Sequence, residues 1–508
     1  MNLSKQTIKS IKKIPGLIIP EENLFSLPEK VLQFGTGVLL RGLPDYFIDK
    51  ANREGIFNGR IVVVKSTATG GTDNFVSQDS LYTVCIRGLE NGKKVDEMII
   101  NSSISRVLSA KEEWDAVLQC AHNRQMQIII SNTTEVGISL VREDIQKSVP
   151  SSYPGKLLAF LWERYRSFNG DVNSGMVIIP TELIPGNGTL LKSIVNELAQ
   201  YNHLDKEFVK WLESANHFCN SLVDRIVPGK LLQADKETTE RKIGYSDKLM
   251  IMAESYRLWA IESFDERVKE ILSFRKADKG VVIASDIGVF RELKLRLLNG
   301  SHTFSCGLAC LAGFSTVKSA MTNSLMAKYI ENLMLHEIAP AISNRLPLYQ
   351  EAYQFASSVL ERFRNPYLDH KWLDITLQFS SKMKLRNIPV LLKHFEMTDH
   401  TPDHMALGFA AYLLFMKSER NEKGQFVGNW DQNEYLIQDE YAAYFYEKWK
   451  RLGADGLVEE VLVDEVFWGT DLSLLKGFPN AVQNGLRSLM KFGVENTLRH
   501  LELRKIFV

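Results

Sequence analysis

Five short apolar runs, rich in valine and isoleucine, constrain the fold of this chain more than any other feature. Strands of this composition are typical of a parallel sheet that is buried on both faces. Amphipathic segments with helical spacing lie between several of them, at residues 111–122, 155–168 and 190–200. This alternation predicts an α/β, doubly wound domain. The five runs are residues 31–34, 61–64, 127–131, 177–180 and 281–284.

The pattern changes after about residue 286, where strand-like runs become scarce and helical periodicity dominates. We therefore expect a mostly α-helical C-terminal domain. The predicted boundaries are 1–280 for a dinucleotide-binding domain and 281–508 for a helical substrate and catalytic domain. The polar stretch 419–438 contains two glycines and several Asn and Asp residues, which favours a surface loop or excursion. The predicted helical segments are 293–298, 309–335, 348–363, 407–415 and 441–452.

Composition excludes several functional classes. The chain has 508 residues, with 61 Lys and Arg against 61 Asp and Glu, and a zero net charge argues against nucleic-acid or anionic-membrane binding as the main task. Five cysteines are too few for a disulfide framework, so we expect a reducing, cytoplasmic location. Residues 297–317 lack charged side chains but include polar ones, which indicates a buried helix rather than a membrane span.

A glycine-rich turn follows the first predicted strand, in Phe34-Gly35-Thr36-Gly37. Glycines between a strand and a helix let the backbone approach a pyrophosphate, which the helix N-terminus then stabilises. The third glycine of the usual fingerprint is replaced by Leu40, so the motif is also compatible with a plain turn. Its position near the start of the chain favours the Rossmann-type interpretation.

The second predicted strand ends in Lys65, where an NAD-binding domain usually places a carboxylate for the adenosine ribose. A cation at this position could accept a ribose phosphate, which would favour NADP, or it could be solvated. The sequence therefore leaves the choice between NADH and NADPH open.

A second motif places Lys294, Asn299 and His302 close together in the chain. On an α-helix these residues fall at relative angles of about 0°, 140° and 80°, so they share one side. Reduction of a carbonyl needs a proton donor, a neutral hydrogen-bond donor for the oxygen and a group that orients the substrate. Lysine, asparagine and histidine can supply these three functions. An amphipathic helix with incidental polar residues is the plain alternative.

The same segment also allows a metal-binding interpretation, because His302, Cys306 and Cys310 are spaced four residues apart. Three ligands at that spacing extend over about 12 Å of helix, which is too long for one tetrahedral ion. His400 and His404 form half of a possible site with no further ligand pair. We therefore expect no metal.

Six short motifs together resemble the polyol-specific long-chain (mannitol) dehydrogenase family, and the similarity runs from about residue 28 to the C-terminus. The Lys294, Asn299, His302 motif and the segment 223–228 are far more specific than the glycines. The motifs are Gln33-Phe-Gly35-x-Gly37-x3-Arg41, Gln78-Asp79-x-Leu-Tyr82-Thr83, Ser131-Asn-Thr-Thr-Glu135-x-Gly137, Val223-Asp224-Arg225-Ile-Val-Pro228, Lys294-x4-Asn299-x2-His302 and Arg362-Phe-x-Asn365-Pro366.

The resemblance implies a Rossmann-type N-terminal domain, a helical C-terminal domain, an active site in the cleft between them, NAD as cofactor and no metal. It implies that Lys294 is the general acid/base, that Asn299 binds the reacting oxygen and that His302 orients the substrate. It implies that Gly35, Gly37 and Arg41 lie at the cofactor diphosphate and that Asp224 and Lys382 contact the substrate. Further cofactor-binding candidates are Phe34, Lys65, Thr134 and Glu135, and Arg362 is a further substrate-binding candidate.

Two departures from the family pattern concern the substrate. Leu183 stands where polyol members have an oxyanion-binding Asn, and Asp374 stands near the position of a substrate-binding Arg. A substrate with a different chain end, such as a hexuronate, would fit these changes. Its carboxylate would need a cation, and the candidates are Arg362, Arg364, Lys382, Lys384 and Arg386.

Within the family, the resemblance implies a small-molecule substrate, with reduction of D-tagaturonate to D-altronate as the expected reaction. Reduction of D-fructuronate, which differs in stereochemistry, and a mannitol-type polyol dehydrogenase activity remain alternatives. A non-catalytic dinucleotide-binding protein is an alternative of a different class. The sequence leaves the oligomeric state open.

Overall fold

The computed structural model describes residues 1–66, 71–133, 137–343, 349–430 and 433–504, and the chain divides into two compact units. The first unit is Met1–Gly88 with Lys93–Gly288, and the second is Leu89–Gly92 with Val289–Val508. The second unit thus begins eight residues after the predicted boundary at residue 281. The reason is that Val281–Ala284 forms a strand in register with Leu258–Glu262 and remains part of the first unit.

The first unit contains thirteen strands in its described residues. Their bounds are β1 Leu17–Ile18, β2 Glu29–Phe34, β3 Arg60–Lys65, β4 Tyr82–Glu90, β5 Lys93–Asn101, β6 Ile104–Ser109, β7 Ile128–Ser131, β8 Val177–Pro180, β9 His217–Phe218, β10 Ser221–Asp224, β11 Ile251–Glu254, β12 Leu258–Glu262 and β13 Val281–Ala284.

Six of these strands form an all-parallel sheet in the order β6-β3-β2-β7-β8-β9. Numbered along the chain, this is the order 3-2-1-4-5-6 of the Rossmann fold. The strand order reverses between β2 and β7, and ligands of such sheets bind outside the carboxyl ends of the strands at that position. The predicted α/β doubly wound fold is therefore confirmed.

The central strands alternate their side chains between two cores, as a sheet buried on both faces requires. Val31, Ile61 and Ile128 belong to the core on one face. Leu32, Val62 and Ile129 belong to the core on the opposite face. All six side chains are fully buried, which explains why these strands are nearly continuous apolar runs in the sequence.

Two smaller sheets complete the first unit. One has the order β1-β5-β4-β11, and the other has the order β10-β12-β13, with β10 and β12 antiparallel. The run 281–284 was expected among the strands of the main sheet, but it forms β13 in the smaller one. The helices of this unit are α1 Val38–Gly42, α2 Pro44–Arg53, α3 Asp73–Ser77, α4 Trp114–Gln119, α5 Tyr153–Ser167, α6 Asn187–Tyr201, α7 Lys206–Ala215, α8 Gln233–Ile243 and α9 Glu266–Ile271.

The second unit is mostly helical, as predicted. Three of its helical segments are π-helices, at Lys294–Gly300, Leu333–Ile338 and Met383–Asn387. The α-helices are α10 Gly288–Leu293, α11 Ser301–Leu311, α12 Val317–Thr322, α13 Ser324–Asn332, α14 Ala339–Ser343, α15 Tyr349–Phe363, α16 Trp372–Ile375, α17 Phe379–Lys382, α18 Ile388–Met397, α19 Asp403–Phe415, α20 Ala442–Leu462, α21 Glu465–Trp468 and α22 Phe478–Arg504.

The polar stretch 419–438, predicted as a surface loop or excursion, contains short strands that the prediction did not include. Its three short strands are β14 Glu419–Arg420, β15 Phe426–Trp430 and β16 Asn433–Leu436, paired antiparallel in that order. The strands are mostly exposed, so the apolar alternation that would have revealed them is weak. Within the described ranges, we find no helix with both the length and the apolar character that crossing a bilayer requires.

Candidate functional site

The glycine turn after β2 lies at the position where the strand order reverses. The Gly35 amide donates to the Val64 carbonyl oxygen (3.0 Å), and the Asn132 amide donates to the Phe34 carbonyl oxygen (3.2 Å), which ties the turn to β3 and to the end of β7. Gly35 has φ +130°, and a Cβ there would lie 2.9 Å from Leu40 Cδ1. Only glycine fits this position without strain.

Gly37 differs from Gly35 in conformation and surroundings. It precedes α1 with φ −62° and ψ 156°, and a Cβ added to it would meet no atom within 4 Å. The fold therefore does not itself require glycine at this position. Open space beside a backbone turn at the carboxyl end of β2 is the feature that a bound dinucleotide would use.

Two of the other residues implied to contact the cofactor point into the protein interior. The Phe34 ring is fully buried and packs 5.1 Å from the Tyr153 ring, so Phe34 could reach a ligand only through its backbone. The Arg41 guanidinium donates through Nη1 to the Leu249 carbonyl oxygen (2.6 Å) and lies 5.3 Å from the centre of the Tyr82 ring. Burial lowers the pKa of Arg41. These contacts give Arg41 a structural role.

A buried polar network lies next to the glycine turn and includes one residue that sequence reasoning missed, Asp45. Gln33 Nε2 donates to the Gly35 carbonyl oxygen (3.3 Å) and to Asp45 Oδ2 (3.4 Å). The Tyr82 hydroxyl donates to the Arg41 carbonyl oxygen (3.0 Å) and also lies 3.4 Å from Asp45 Oδ2. Burial raises the pKa of Asp45 to about 8, against the opposing effects of Gln33, Arg41 and Tyr82. Only its position one helical turn after Arg41 could have suggested this role.

Two further predicted residues, Lys65 and Asp224, are the last residues of strands. Lys65 is the last residue of β3 and is buried beside its strand partner Ser109. Asp224 is the last residue of β10, buried and paired with Leu258. Thr134 and Glu135 lie outside the described residues.

Glu182 was not among the predicted site residues, although it connects the ends of β7 and β8. Its carboxylate accepts hydrogen bonds from the Thr133 amide (2.8 Å), the Thr133 hydroxyl (2.9 Å) and the Ser131 hydroxyl (3.2 Å). The signal was present in the sequence, since Thr181-Glu182 directly follows a buried strand. The next residue, Leu183, is 59% exposed.

Two motif residues, Arg225 and Gln78, have structural roles in the first unit. Arg225 is buried, donates to the carbonyl oxygens of Glu254 (2.9 Å) and Gly42 (2.7 Å), and stacks 4.5 Å from the Tyr46 ring centre. Gln78 Nε2 donates to Asp247 Oδ1 (2.7 Å), and its carbonyl accepts from the Lys248 amide. Both side chains hold distant parts of the first unit together.

In the second unit, Lys294 and Asn299 lie on the π-helix Lys294–Gly300, not on the α-helix assumed from the sequence. In a π-helix, residues five apart are separated by one turn, so this local geometry brings Lys294 and Asn299 to the same face. Two hydroxyl groups just after the π-helix donate hydrogen bonds to its backbone carbonyl oxygens. The Thr303 hydroxyl donates to the Asn299 carbonyl oxygen (2.8 Å), and the Ser301 hydroxyl donates to that of Leu298 (3.1 Å).

His302 begins the first turn of α11 inside an aromatic cage. Its ring stacks on Phe363 with centres 4.0 Å apart, and the rings of His370 and Trp372 lie 5.2 and 5.7 Å away. Nδ1 is buried and makes no hydrogen bond to the described residues. Burial lowers the pKa of His302 well below its usual value, and the charges of His370, Arg362, Arg386 and Lys382 lower it further. The imidazole is therefore neutral.

The π-helix Met383–Asn387 packs against the π-helix that carries Lys294 and Asn299. Arg296 Nη1 donates to the carbonyl oxygens of Leu385 and Arg386, both at 2.8 Å, and so satisfies backbone groups of the second π-helix. A Cβ added to Gly300 would lie 3.4 Å from Asn387 Oδ1. The unusual helical geometry is thus stabilised by contacts between the two segments.

The His and Cys side chains considered above as metal ligands either have another partner or are protonated thiols. His404 Nδ1 lies 2.6 Å from Glu337 Oε1, and the same carboxylate accepts the first amides of α19. Burial raises the pKa of Cys310 to about 12 and raises that of Cys306 well above its usual value, so both thiols are protonated. In the described part of the chain, no three His, Cys, Asp or Glu side chains are grouped as metal ligands.

Comparison with known proteins places the chain in a family. Residues 29–272 match the model of the mannitol dehydrogenase Rossmann domain, and residues 286–490 match that of the mannitol dehydrogenase C-terminal domain. The altronate oxidoreductase of Halalkalibacterium halodurans is 36% identical, with 93% of each chain covered. That of Bacillus subtilis is 37% identical, covering 93% of this chain and 95% of the relative.

Solved structures agree at the level of the fold. The mannitol 2-dehydrogenase of Pseudomonas fluorescens, solved with NAD and D-mannitol, has a TM-score of 0.66 at 21% identity, with 99% of each chain covered. A D-sorbitol dehydrogenase has a TM-score of 0.79 at 21% identity, covering 98% of this chain and 100% of the other. The chain therefore belongs to the mannitol dehydrogenase family.

Proposed function

We propose that this protein is an altronate oxidoreductase, also called a tagaturonate reductase, which reduces D-tagaturonate to D-altronate with NADH and catalyses the reverse oxidation. The observation that carries the proposal is the similarity, over 93% of the chain, to relatives that bear the name altronate oxidoreductase. The cationic surroundings of His302 support an anionic substrate. We also propose a cytoplasmic location, because all five cysteines are free thiols.

The residues at the carboxyl end of β2 fit a dinucleotide. The open space beside Gly37 would accept a diphosphate, and Gly35 allows the close turn that leads to it. Gly35 and Gly37 would hold the cofactor through their backbone. When bound, NADH would supply the hydride that reduces the keto carbon.

Lys294 would donate the proton that the keto oxygen takes up as it becomes a hydroxyl. Asn299, one π-helical turn away, would donate an amide hydrogen bond to the same oxygen as negative charge develops on it. Both roles require side chains on one face of one helical segment, which the π-helix supplies.

His302 would orient the substrate. The neutral imidazole has one donor and one acceptor nitrogen, and the stacked Phe363 ring holds its plane. Because Nδ1 is enclosed by protein, the other ring nitrogen would meet a substrate hydroxyl. Arg362, Lys382 and Asp224 would also bind the substrate.

The proposal is tested by measuring NADH oxidation with D-tagaturonate, D-fructuronate and D-fructose side by side. We expect kcat/KM for D-tagaturonate to exceed that for the other two by at least about tenfold. A preference for D-fructuronate would identify the sister activity, and a preference for D-fructose would identify a polyol dehydrogenase. Absence of NADH oxidation with all three would support a non-catalytic role.

Lys294→Ala is the control variant for this experiment. It should reduce kcat by at least about 100-fold, because general acid catalysis is lost, while NADH binding stays within about twofold of wild type. NADH fluorescence titration measures the binding. Turnover near the wild-type rate at neutral pH would show that another group supplies the proton.

A further inference from the structure

The candidate cations for the substrate carboxylate differ in how they are engaged. Arg364 lies 3.6 Å from Glu331 and is half-exposed. Arg362 is already engaged by other groups. Lys382 Nζ donates to the Ile375 carbonyl oxygen (2.9 Å), and Arg386 Nη1 donates to the Thr303 hydroxyl (3.3 Å). Neither Lys382 nor Arg386 forms an ion pair with a carboxylate among the described residues.

Arg386 is linked by hydrogen bonds to the segment that carries the catalytic candidates. The Thr303 hydroxyl, which accepts from Arg386, donates in turn to the Asn299 carbonyl oxygen (2.8 Å). Thr303 also directly follows His302 in α11. This bond connects the guanidinium to the turn that carries Asn299 and His302.

The cations in this region are unfavourable without an anion. Lys382 and Arg386 are four residues apart in one helical stretch, and like charges at that spacing destabilise a helix. Burial lowers the pKa of Arg386, and burial together with the charge of Arg386 lowers the pKa of Lys382. The nearby Asp439 is committed elsewhere, since it accepts the amides of Ser380 and Tyr441. A bound carboxylate would remove this repulsion.

We propose that Arg386 binds the carboxylate of the substrate and thereby makes the site specific for a keto-hexuronate over a ketose with an uncharged chain end. This inference rests on the function proposed above. A guanidinium presents two parallel N–H donors that match the two oxygens of a carboxylate. Arg386 has such donors beyond Nη1, whereas Lys382 is a point charge with one bond already made.

The test compares D-tagaturonate with D-tagatose, which carries a CH2OH group in place of the carboxylate, in wild type and in Arg386→Gln. We expect kcat/KM for D-tagaturonate to fall at least about 30-fold, mainly through KM, because a charged hydrogen-bonded pair is lost. The value for D-tagatose should stay within about twofold. Calorimetric Kd values for D-altronate and for the uncharged altritol should show the same contrast without turnover.

Two further variants complete the design. Arg386→Lys keeps the charge but loses the two parallel donors, so its loss should be smaller, about fivefold, and it replaces Arg386→Gln if that variant does not fold. Arg451→Gln, which removes an exposed arginine paired with Glu460 (Arg451 and Glu460 side chains 63% and 43% exposed), should leave the ratio of the two substrates unchanged.

Equal losses on D-tagaturonate and D-tagatose in the Arg386 variants would show that Arg386 is structural and would overturn the inference, as would unchanged kinetics. If wild type itself reduced D-tagaturonate no faster than D-tagatose, the proposed function would fail. Both proposals would then fall.

Discussion

Asp45 is a buried acidic residue next to the glycine turn, and its protonation differs between the folded and unfolded states. Its carboxyl is fully buried, Oδ1 makes no hydrogen bond to a described residue, and Oδ2 lies 3.4 Å from both Gln33 Nε2 and the Tyr82 hydroxyl. Burial raises its pKa from 3.8 to about 8. The folded state therefore binds a proton that the unfolded state releases at neutral pH.

Stability should depend on pH through this group. Because the pKa of Asp45 is raised on folding, its contribution to the free energy of unfolding is complete below pH 3.8 and is lost as pH rises towards about 8. Asp45→Asn stays neutral, so we expect the variant to gain stability relative to wild type by up to about 1.4 kcal/mol per pH unit between about pH 5 and about pH 7.5. Urea unfolding at several pH values measures the difference.

Asp235→Asn is the matched control, because Asp235 is exposed on α8. Its stability should run parallel to that of wild type across the same pH range. If Asp45→Asn also ran parallel to wild type, the carboxyl of Asp45 would be ionised in the folded protein at neutral pH.

Several residues of the family motifs make structural contacts inside the first unit. Arg41, Arg225 and Gln78 belong to the most recognisable motifs, yet each side chain binds backbone or buried carboxylate groups of the first unit. Such residues were visible in the sequence as a pattern. Their partners, at Leu249, Gly42 and Asp247, are too distant in the chain to be inferred from spacing.

Among the elements, the turn between β2 and α1 contains two glycines with different roles. The backbone conformation requires Gly35, whereas Gly37 borders open space that a ligand could occupy. Gly35→Ala should lower the free energy of unfolding by about 1–3 kcal/mol, because φ is +130° and the new methyl would contact Leu40 and Asn132. Gly37→Ala should leave stability within about 0.5 kcal/mol and weaken NADH binding, because its methyl would enter the open space.

Denaturant unfolding and NADH fluorescence titration on both variants separate these effects. Each variant is the control for the other. A Gly37→Ala protein that binds NADH as tightly as wild type would place the cofactor away from this turn.

The three π-helices are the elements that local sequence pattern described least well. Spacing predicted an α-helix around Lys294, and an α-helix would put Lys294 and Asn299 about 140° apart. The π-helix brings them to one face. Arg296, on this π-helix, donates to the backbone of a second segment, and the Ser301 and Thr303 hydroxyls of the following turn donate to its carbonyl oxygens.

For the whole molecule, the equal numbers of 61 cationic and 61 anionic residues hide a local imbalance. His302 is surrounded by positive charge from Arg362, Lys382 and Arg386. Arg41, which the resemblance implied to bind the cofactor, is buried against Leu249 and Tyr82 in the first unit. A neutral total is therefore compatible with a site for a small anionic substrate.

The preference between NADH and NADPH can be measured from the thermal stability of the whole molecule. A cofactor that binds only the folded state stabilises that state. At about 100 times its Kd, NADH should contribute about 2.7 kcal/mol and raise Tm by a few degrees. NADPH at the same concentration should give a smaller shift. A larger shift with NADPH would instead assign Lys65 to a ribose phosphate.

Much of the architecture could be predicted from the sequence. The strands 31–34, 61–64 and 177–180 correspond closely to β2, β3 and β8, because a strand buried on both faces must be apolar at every position. The mostly helical second unit followed from its periodicity. The exposed strands of 419–438 could not be recognised, since water satisfies their outward faces and leaves no apolar pattern.

The sequence by itself determined the doubly wound sheet, the glycine turn and the Lys294, Asn299, His302 motif, because these depend on short-range periodicity and on residue type. The tertiary structure alone decided which polar groups are buried together. Asp45 with Gln33, Glu182 with Thr133, and Arg386 with Thr303 are joined over 12, 49 and 83 residues of chain. Burial and charge at such contacts depend on packing of distant segments, and no local pattern records that packing.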